Sequence, residues 1–370
     1  MSELYIGLMS GTSMDGIDAA LVNFANNNIQ LVYQHSHPLP ESLRETLLKL
    51  SLDSPDISLD MLGEADAELG NIFADAVIEL LDKSHTQASD IKAIGSHGQT
   101  IRHKPDGKFP FSLQIGDANR ITFKTGITTV ADFRRKDMAA GGQGAPLAPA
   151  FHNAYFRSEK ENRAVLNIGG ISNITFLPEE SNTSCFGFDT GPGNMLMDAW
   201  ISQHKQQPYD KDGEWAGSAK ANTDLVNKLM NDIFIHQPPP KSTGREHYNI
   251  AWLNTQLKDF PTLMPDIIQA SLCDFTARSI TYAVEHFLPD ITSMIVCGGG
   301  AHNKHLIKQL NTSLSTVNIN SSDQYNLPAD WVEAVAFAWL AKQTMERKKG
   351  NLAEVTGAKE STILGAIYPA

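Results

Sequence analysis

The chain has 370 residues and carries 42 acidic against 30 basic side chains, a net charge of −12. That length exceeds one ordinary domain and fits two. Hydrophobic residues at 41% and charged residues at 19% are the composition of a soluble globular protein. The acidic excess counts against nonspecific nucleic-acid or anionic-membrane binding, so an anionic ligand has to be held by backbone N–H groups or single arginines.

Cys185, Cys273 and Cys297 are odd in number, far apart and without a CxxC pair. This argues against a disulfide framework and against a structural zinc site. No apolar run approaches the roughly 20 residues that span a bilayer, and the opening MSELYIGLMSG lacks the basic-then-apolar layout of a secretion signal. The expected compartment is the reducing cytoplasm.

In chain order, Leu4–Met9 reads as a strand, Gly11–Gly16 as a turn of small and polar residues, and Ile17–Phe24 as a second strand. Residues 58–82 place Leu62, Leu69, Phe73, Val77 and Leu80 at helical spacing. Ile91–Ser96 is a buried strand ending in His97-Gly98-Gln99-Thr100, and Ile127–Ala131 a strand leading into the glycine-rich AAGGQGAPLAP, where a domain boundary is expected near residue 130. A second hairpin follows over 164–177, which suggests a duplication of the first. Helices are expected over 223–235 and 265–287. Ser293–Cys297 is a strand running into Gly298-Gly299-Gly300, with a helix from about Asn303. A last helix over about 331–347 has Asp330 as its expected N-cap.

Five constellations carry chemistry. In Ser10-Gly11-Thr12-Ser13-Met14-Asp15-Gly16, successive N–H groups and hydroxyls can cradle phosphate oxygens, and Asp15 can hold magnesium directly or through water; an ordinary hairpin turn fits equally well. Asn167-Ile168-Gly169-Gly170-Ile171-Ser172-Asn173 repeats the pattern, and two such hairpins facing across a cleft would grip a triphosphate from both sides. The strand–triglycine–helix start at 296–303 suits nucleotide docking, although it is neither GxGxxG nor a Walker loop and also reads as a plain tight turn. Asp189, in Phe188-Asp189-Thr190-Gly191-Pro192-Gly193-Asn194, offers a base to orient a nucleophile, or an Asx-turn that shapes its loop. The fifth set is the single polar side chains near loops: His97, Gln99, Asp132, Arg134, Arg245 and Glu333. Arg134 can clamp a carboxylate bidentately. Asp330-x-x-Glu333 is also a capping-box pattern, which would leave Glu333 a purely local role.

These segments, with Lys241-Ser242-Thr243-Gly244-Arg245 and the C-terminal Gly365-Ala366-Ile367-Tyr368-Pro369, run in order from residue 5 to the end. Together they resemble the anhydro-N-acetylmuramic acid kinases. The resemblance implies an α/β fold of two actin-like (ribonuclease H-like) domains with a cleft between them. Residues 1–130 plus about 353–370 would form the first domain and 131–352 the second. It implies ATP and Mg²⁺ as cofactors, a small sugar as substrate and a homodimer. Water would open the 1,6-anhydro bridge while the freed 6-oxygen takes the γ-phosphoryl group. Asp189 matches the base. Ser10, Gly11, Thr12, Ser13, Met14, Asp15, Gly16, Ile17, Asn167, Gly169, Gly170, Gly298, Gly299, Gly300 and Asn303 would face the nucleotide, with Asp15 toward magnesium. Ser96, His97, Gln99, Arg134 and Glu333 would face the sugar. The rival readings are another sugar kinase of the superfamily, a non-catalytic nucleotide-binding regulator, and a hydrolase that needs no ATP.

Overall fold

A computed structural model describes residues 2–11, 14, 16–52, 56–180 and 183–370, with Asn27 described by its backbone alone. The chain folds as two units, Met1–Tyr155 with Trp331–Ala370, and Phe156–Asp330. The strands, in chain order, are β1 (Leu4–Met9), β2 (Gly16–Asn23), β3 (Gln30–Pro38), β4 (Ile91–Ser96), β5 (Gln99–Lys104), β6 (Phe111–Ile115), β7 (Thr129–Ala131), β8 (Arg163–Ile168), β9 (Ile171–Leu177), β10 (Phe186–Pro192), β11 (Ser293–Cys297), β12 (Asn318–Ser321) and β13 (Ala366–Tyr368).

Unit 1 holds a sheet in the order β3-β2-β1-β4-β7-β13 and the small pair β5-β6. β1–β2 and β2–β3 are antiparallel, whereas β1–β4 and β4–β7 are parallel. Unit 2 has the order β10-β9-β8-β11-β12, again with an antiparallel β8–β9–β10 followed by parallel β8–β11 and β11–β12. Each unit thus repeats one scheme: a three-strand meander, then two parallel crossovers. That is the ribonuclease H-like order of a duplicated actin-like chain. The parallel strands read as continuous apolar runs because helices bury both of their faces: Ser293–Cys297 is buried at every position.

Unit 1's core gathers Ile6, Leu8, Ile17, Leu21, Leu69, Phe73, Val77 and Ile94 around the Leu59–Ser84 helix. Unit 2's core packs Leu166, Ile174, Phe188, Phe275, Ile280 and Val296 around the Pro265–Phe287 helix. The helix expected over 223–235 is two helices, Thr223–Met230 and Ile233–His236. The break comes at Asp232, whose carboxylate accepts the Phe234 N–H and caps the second piece.

The boundary expected near residue 130 falls instead after Tyr155, and residues 331–352 belong to unit 1. Two packing facts place them there. The glycine-rich segment is no linker: Asp137, fully buried, accepts from the Gly144 N–H at 2.7 Å, the Asn351 amide at 2.5 Å and the Thr356 hydroxyl at 2.6 Å. And Gly7 and Gly95 sit side by side in the β1–β4 pairing. A Cβ on Gly7 would stand 1.8 Å from the Ala334 carbonyl oxygen, and one on Gly95 2.1 Å from that of Phe337. Two missing side chains therefore form a smooth patch on which the Val332–Met345 helix lies in backbone contact, its own facing residues as small as Ala334, Ala338 and Ala341. β13 then returns beside β7 in the same sheet.

Among the described residues, no helix is long and apolar enough to cross a membrane.

Candidate active site

In unit 1 the chemistry collects where β1 and β4 end. Ser10, 1% exposed, donates its hydroxyl to the Gln99 side-chain oxygen at 2.7 Å, and Gln99 is 2% exposed. The His97 N–H donates to the Leu8 carbonyl at 3.0 Å. The turn after β1 and the loop after β4 are therefore tied side chain to side chain and backbone to backbone.

His97 is buried against Phe337, ring centroids 4.8 Å apart, and Phe337 also meets Phe133 at 5.6 Å. Arg134 sits in the helix Phe133–Ala139. It donates from Nη1 to the Gly144 carbonyl and stands with Nη2 2.9 Å from His97 Nε2. A guanidinium only donates, so His97 Nε2 accepts and the imidazole proton belongs on Nδ1. Burial, then the charge of Arg134, pushes the His97 pKa down to about 3. The ring is neutral at physiological pH, as this acceptor role requires. Burial also lowers Arg134 to about 10, with Glu333 and Asp137 pulling the other way, so it keeps its charge. Arg134 Nε is buried and unpartnered among the described residues, an N–H direction kept dry and unused.

Glu333 stands on the Val332–Met345 helix, and so in unit 1 rather than the second domain. It reaches solvent. The protein around its carboxyl still disfavours the charged form and raises its pKa, against the pull of Arg134. The capping-box reading does not hold. The helix N-cap is Trp331 with no side-chain cap, because Ala329–Trp331 forms a 3₁₀ turn, and Asp330 pairs with His302 Nε2 at 2.8 Å instead.

Not every unit 1 candidate lies in this group. Ser96 is fully buried at the end of β4. Ile17 is fully buried in β2, so its backbone is what it offers a ligand. Asp132 precedes the Phe133–Ala139 helix in the left-handed region, near Arg135 at 3.5 Å. Gly11 and Met14 shape the turn, the Met14 N–H donating to the Gly11 carbonyl, and Gly16 opens β2. Thr12, Ser13 and Asp15 lie outside the described residues.

In unit 2 the β8–β9 turn and the triglycine meet. Gly298 has φ +77, and a Cβ on it would stand 2.3 Å from Asn167 Oδ1; one on Gly300 would stand 2.2 Å from the Ile168 side chain. These two are glycines because β11 closes onto β8. Gly299 and Gly169 differ: a Cβ there would meet nothing nearer than 3.9 Å and 3.6 Å. The carbonyls of Gly169 and Gly170 accept N–H groups from Asn194 and from Gly193 and Met195, which locks the turn to the start of the Met195–Lys205 helix. Asn303, 7% exposed, uses its side chain to cap the Lys304–Ser313 helix, accepting from the Leu306 N–H at 3.0 Å.

Asp189 lies on β10, where the pairing to β9 shifts register between Asp189 and Gly191; such a bulge re-aims a strand-end side chain. Its Oδ2 accepts from the Thr243 N–H at 2.9 Å, and its own N–H donates to the Lys241 carbonyl at 3.1 Å. Among the described residues, Oδ1 has no hydrogen-bond partner. Burial raises the Asp189 pKa to about 7, the Thr243 N–H and Lys241 opposing and Glu246 adding to it. Lys241, itself lowered to about 8 by burial, donates to the Phe234 and Ile235 carbonyls and lies over the Phe234 ring. It anchors the 241–245 loop that delivers the Thr243 amide. Sequence reasoning weighed only Arg245 in that loop, which is exposed. A lysine just after Pro238-Pro239-Pro240 gives no hint that it is 8% exposed.

The family model for anhydro-N-acetylmuramic acid kinase matches residues 3–370. A protein named anhydro-N-acetylmuramic acid kinase from Coxiella burnetii (strain Dugway 5J108-111) is 51% identical over 366 residues, covering 99% of this chain and 97% of its own length. Proteins of the same name from Pasteurella multocida (strain Pm70) and Vibrio vulnificus (strain YJ016) are 49% and 48% identical, each over 99% of this chain and 96% and 98% of theirs. With a family model spanning the chain and relatives near half identity from end to end, this chain belongs to the anhydro-N-acetylmuramic acid kinase family.

Proposed function

We propose that the protein uses ATP and water to convert 1,6-anhydro-N-acetylmuramic acid into N-acetylmuramic acid 6-phosphate and ADP, in the cytoplasmic recycling of cell-wall sugars. Asp189 takes a proton from the water as its oxygen bonds to the anomeric carbon. The bond from that carbon to O6 breaks, and O6 captures the γ-phosphoryl group as ADP leaves. Attack at an anomeric carbon resembles inverting glycoside hydrolysis. No separate acid is required, because phosphorus rather than a proton takes the leaving oxygen.

The observation that carries this reading is the state of Asp189. A base working near neutral pH needs a pKa near neutrality and a free lone pair. Asp189 is raised to about 7, is fixed through Oδ2 by the Thr243 amide, and keeps Oδ1 unengaged among the described residues.

Arg134 is assigned to the sugar's carboxylate. Its buried, unpartnered Nε and the N–H groups not spent on Gly144 and His97 suit a planar, paired contact. Gln99 and His97 support that site, and Glu333 and Ser96 are assigned to the sugar's polar groups. The Ser10–Ile17 segment and Asn167, Gly169, Gly170 and Gly298–Gly300, with Asn303, are assigned to the nucleotide, the open backbone at Gly169 and Gly299 being where a ligand can approach. The donors of the first turn, the Ser10 hydroxyl and by sequence the Asp15 carboxylate, are hard oxygens that fit magnesium, directly or through water. When bound, magnesium would neutralise charge on the β- and γ-phosphates. A homodimer is the assembly proposed from the family.

Asp189→Asn is the test. It should lower kcat by about 10²–10⁴-fold while ATP affinity stays within about twofold. Wild-type turnover in this variant would remove Asp189 from the base role.

A further inference from the structure

β3 is the free edge of the unit 1 sheet, and its alternate residues face the Leu59–Ser84 helix. His35 and His37 pair across β2 with Ala19 and Ile17, both fully buried, so both imidazoles point to the covered face. Their side chains are 11% and 17% exposed. From the helix, Glu79 meets them both: His35 Nε2 lies 2.9 Å from one carboxylate oxygen and His37 Nδ1 3.3 Å from the other. The two rings stand 6.0 Å apart at 78° to each other. One donor atom from each of the three residues falls within 4.8 Å of the rest. None of the three takes part in the site described above.

A carboxylate between two imidazole nitrogens is a place for positive charge, and the fold puts one there. The Lys83 ammonium lies 3.1 Å from Glu79 Oε2 and 3.2 Å and 3.4 Å from the two His35 nitrogens. We propose that His35, His37 and Glu79 form a binding site for a divalent transition-metal ion of the zinc class, with Lys83 as the cation that the metal displaces. Two imidazoles and one carboxylate are ligands suited to zinc, cobalt, nickel or copper, not to magnesium, which favours all-oxygen shells. At bond lengths of about 2.0–2.1 Å the donors must close to about 3.4 Å of one another. The carboxylate already stands that near both nitrogens, so the remaining adjustment is a rotation of the two rings. The partly exposed side of Glu79 leaves room for water as a further ligand. Bound metal would clip the edge strand to the helix and stabilise the fold by mass action.

The test is zinc binding by untagged protein in excess Mg²⁺, followed by calorimetry and by thermal unfolding. Wild type should bind one equivalent more than a His35→Ala/His37→Ala variant and show a zinc-dependent rise in Tm that the variant lacks. Glu79→Gln should weaken that equivalent by at least about tenfold, since even outer partners of metal ligands cost that much. Lys83→Gln should tighten it. Equal stoichiometry and affinity in wild type and the double variant would overturn the site. If the double variant does not fold, the Glu79→Gln and Lys83→Gln pair decides: unchanged affinity in both would overturn it too.

Discussion

At the ends of β1 and β4, unit 1 buries a charged arginine against a neutral histidine; on β10, unit 2 keeps a carboxylate close to neutrality beside a loop amide. The sheets that carry these groups share one strand order. The scaffold therefore does not set the chemistry. What differs is the covering. In unit 1 the Val332–Met345 helix sinks onto Gly7 and Gly95 and brings Phe337 against His97, which removes water and fixes donors in place. In unit 2 a bulge turns Asp189 toward a loop that gives it one amide and a lysine whose own ammonium is committed to two carbonyls. Unit 1 thus holds its buried histidine neutral, while unit 2 leaves a buried carboxyl able to titrate near pH 7.

The largest effect that would break this comparison is at the glycine patch. Gly95→Ala places a methyl 2.1 Å from the Phe337 carbonyl and should cost about 3 kcal/mol or more of unfolding free energy in a urea titration. Gly63→Ala, in the Leu59–Ser84 helix with nothing within 4 Å, should instead stabilise by up to about 1 kcal/mol. Equal outcomes would show that the helix is not seated on glycine. Next, Arg134→Ala should raise KM for the sugar by about 10–100-fold with ATP KM little changed, the loss of charged hydrogen bonds of about 1.5–3 kcal/mol. An effect on ATP alone would mean that unit 1's arginine reads the wrong ligand.

Asp189 supplies a pH test of the other half. Its folded pKa near 7 exceeds the roughly 3.9 of an unfolded chain, so it favours folding fully below about pH 4 and loses that contribution as pH rises through 7. Asp189→Asn should therefore be more stable than wild type at pH 8, by up to about 4 kcal/mol, and no more stable at pH 4. A constant difference across that range would mean that the carboxyl is not raised. The smallest effect belongs to Asn303→Ala, which removes a helix cap and should cost about 1 kcal/mol. A rise in ATP KM beyond what that loss explains is expected if Asn303 also meets the nucleotide as assigned, and an unchanged ATP KM would reduce it to a cap.

Much of this was legible because backbone chemistry writes itself into residue type. The strands of the hairpins read over 4–24 and 164–177, the Ile91–Ser96 strand and the Pro265–Phe287 helix stand where pattern places them, to within a residue at the ends. Asp189 reads in the sequence as a carboxylate at a strand end followed by turn residues, whereas β10 runs on past it to Pro192. The failures share a cause, contacts distant in sequence. Asp137 draws on Asn351 and Thr356, so a glycine-rich segment that looks like a linker is part of a fold. Asp330 answers to His302, so a local capping box never forms. The Thr243 amide and the buried Lys241 reach Asp189 from a loop whose sequence shows only polarity and proline. β3, with its His35–His37 pair, alternates too weakly in hydropathy to announce an edge strand.

The central claim is that water opens the sugar ring while O6 takes the phosphoryl group. The most direct measurement incubates the protein with ATP, Mg²⁺ and 1,6-anhydro-N-acetylmuramic acid in ¹⁸O-labelled water and reads the product by mass spectrometry. The account predicts a 6-phosphosugar with one ¹⁸O at the anomeric carbon and one ADP for each sugar converted. Label in released phosphate with the sugar intact, or a phosphosugar whose anhydro bridge survives, would contradict it.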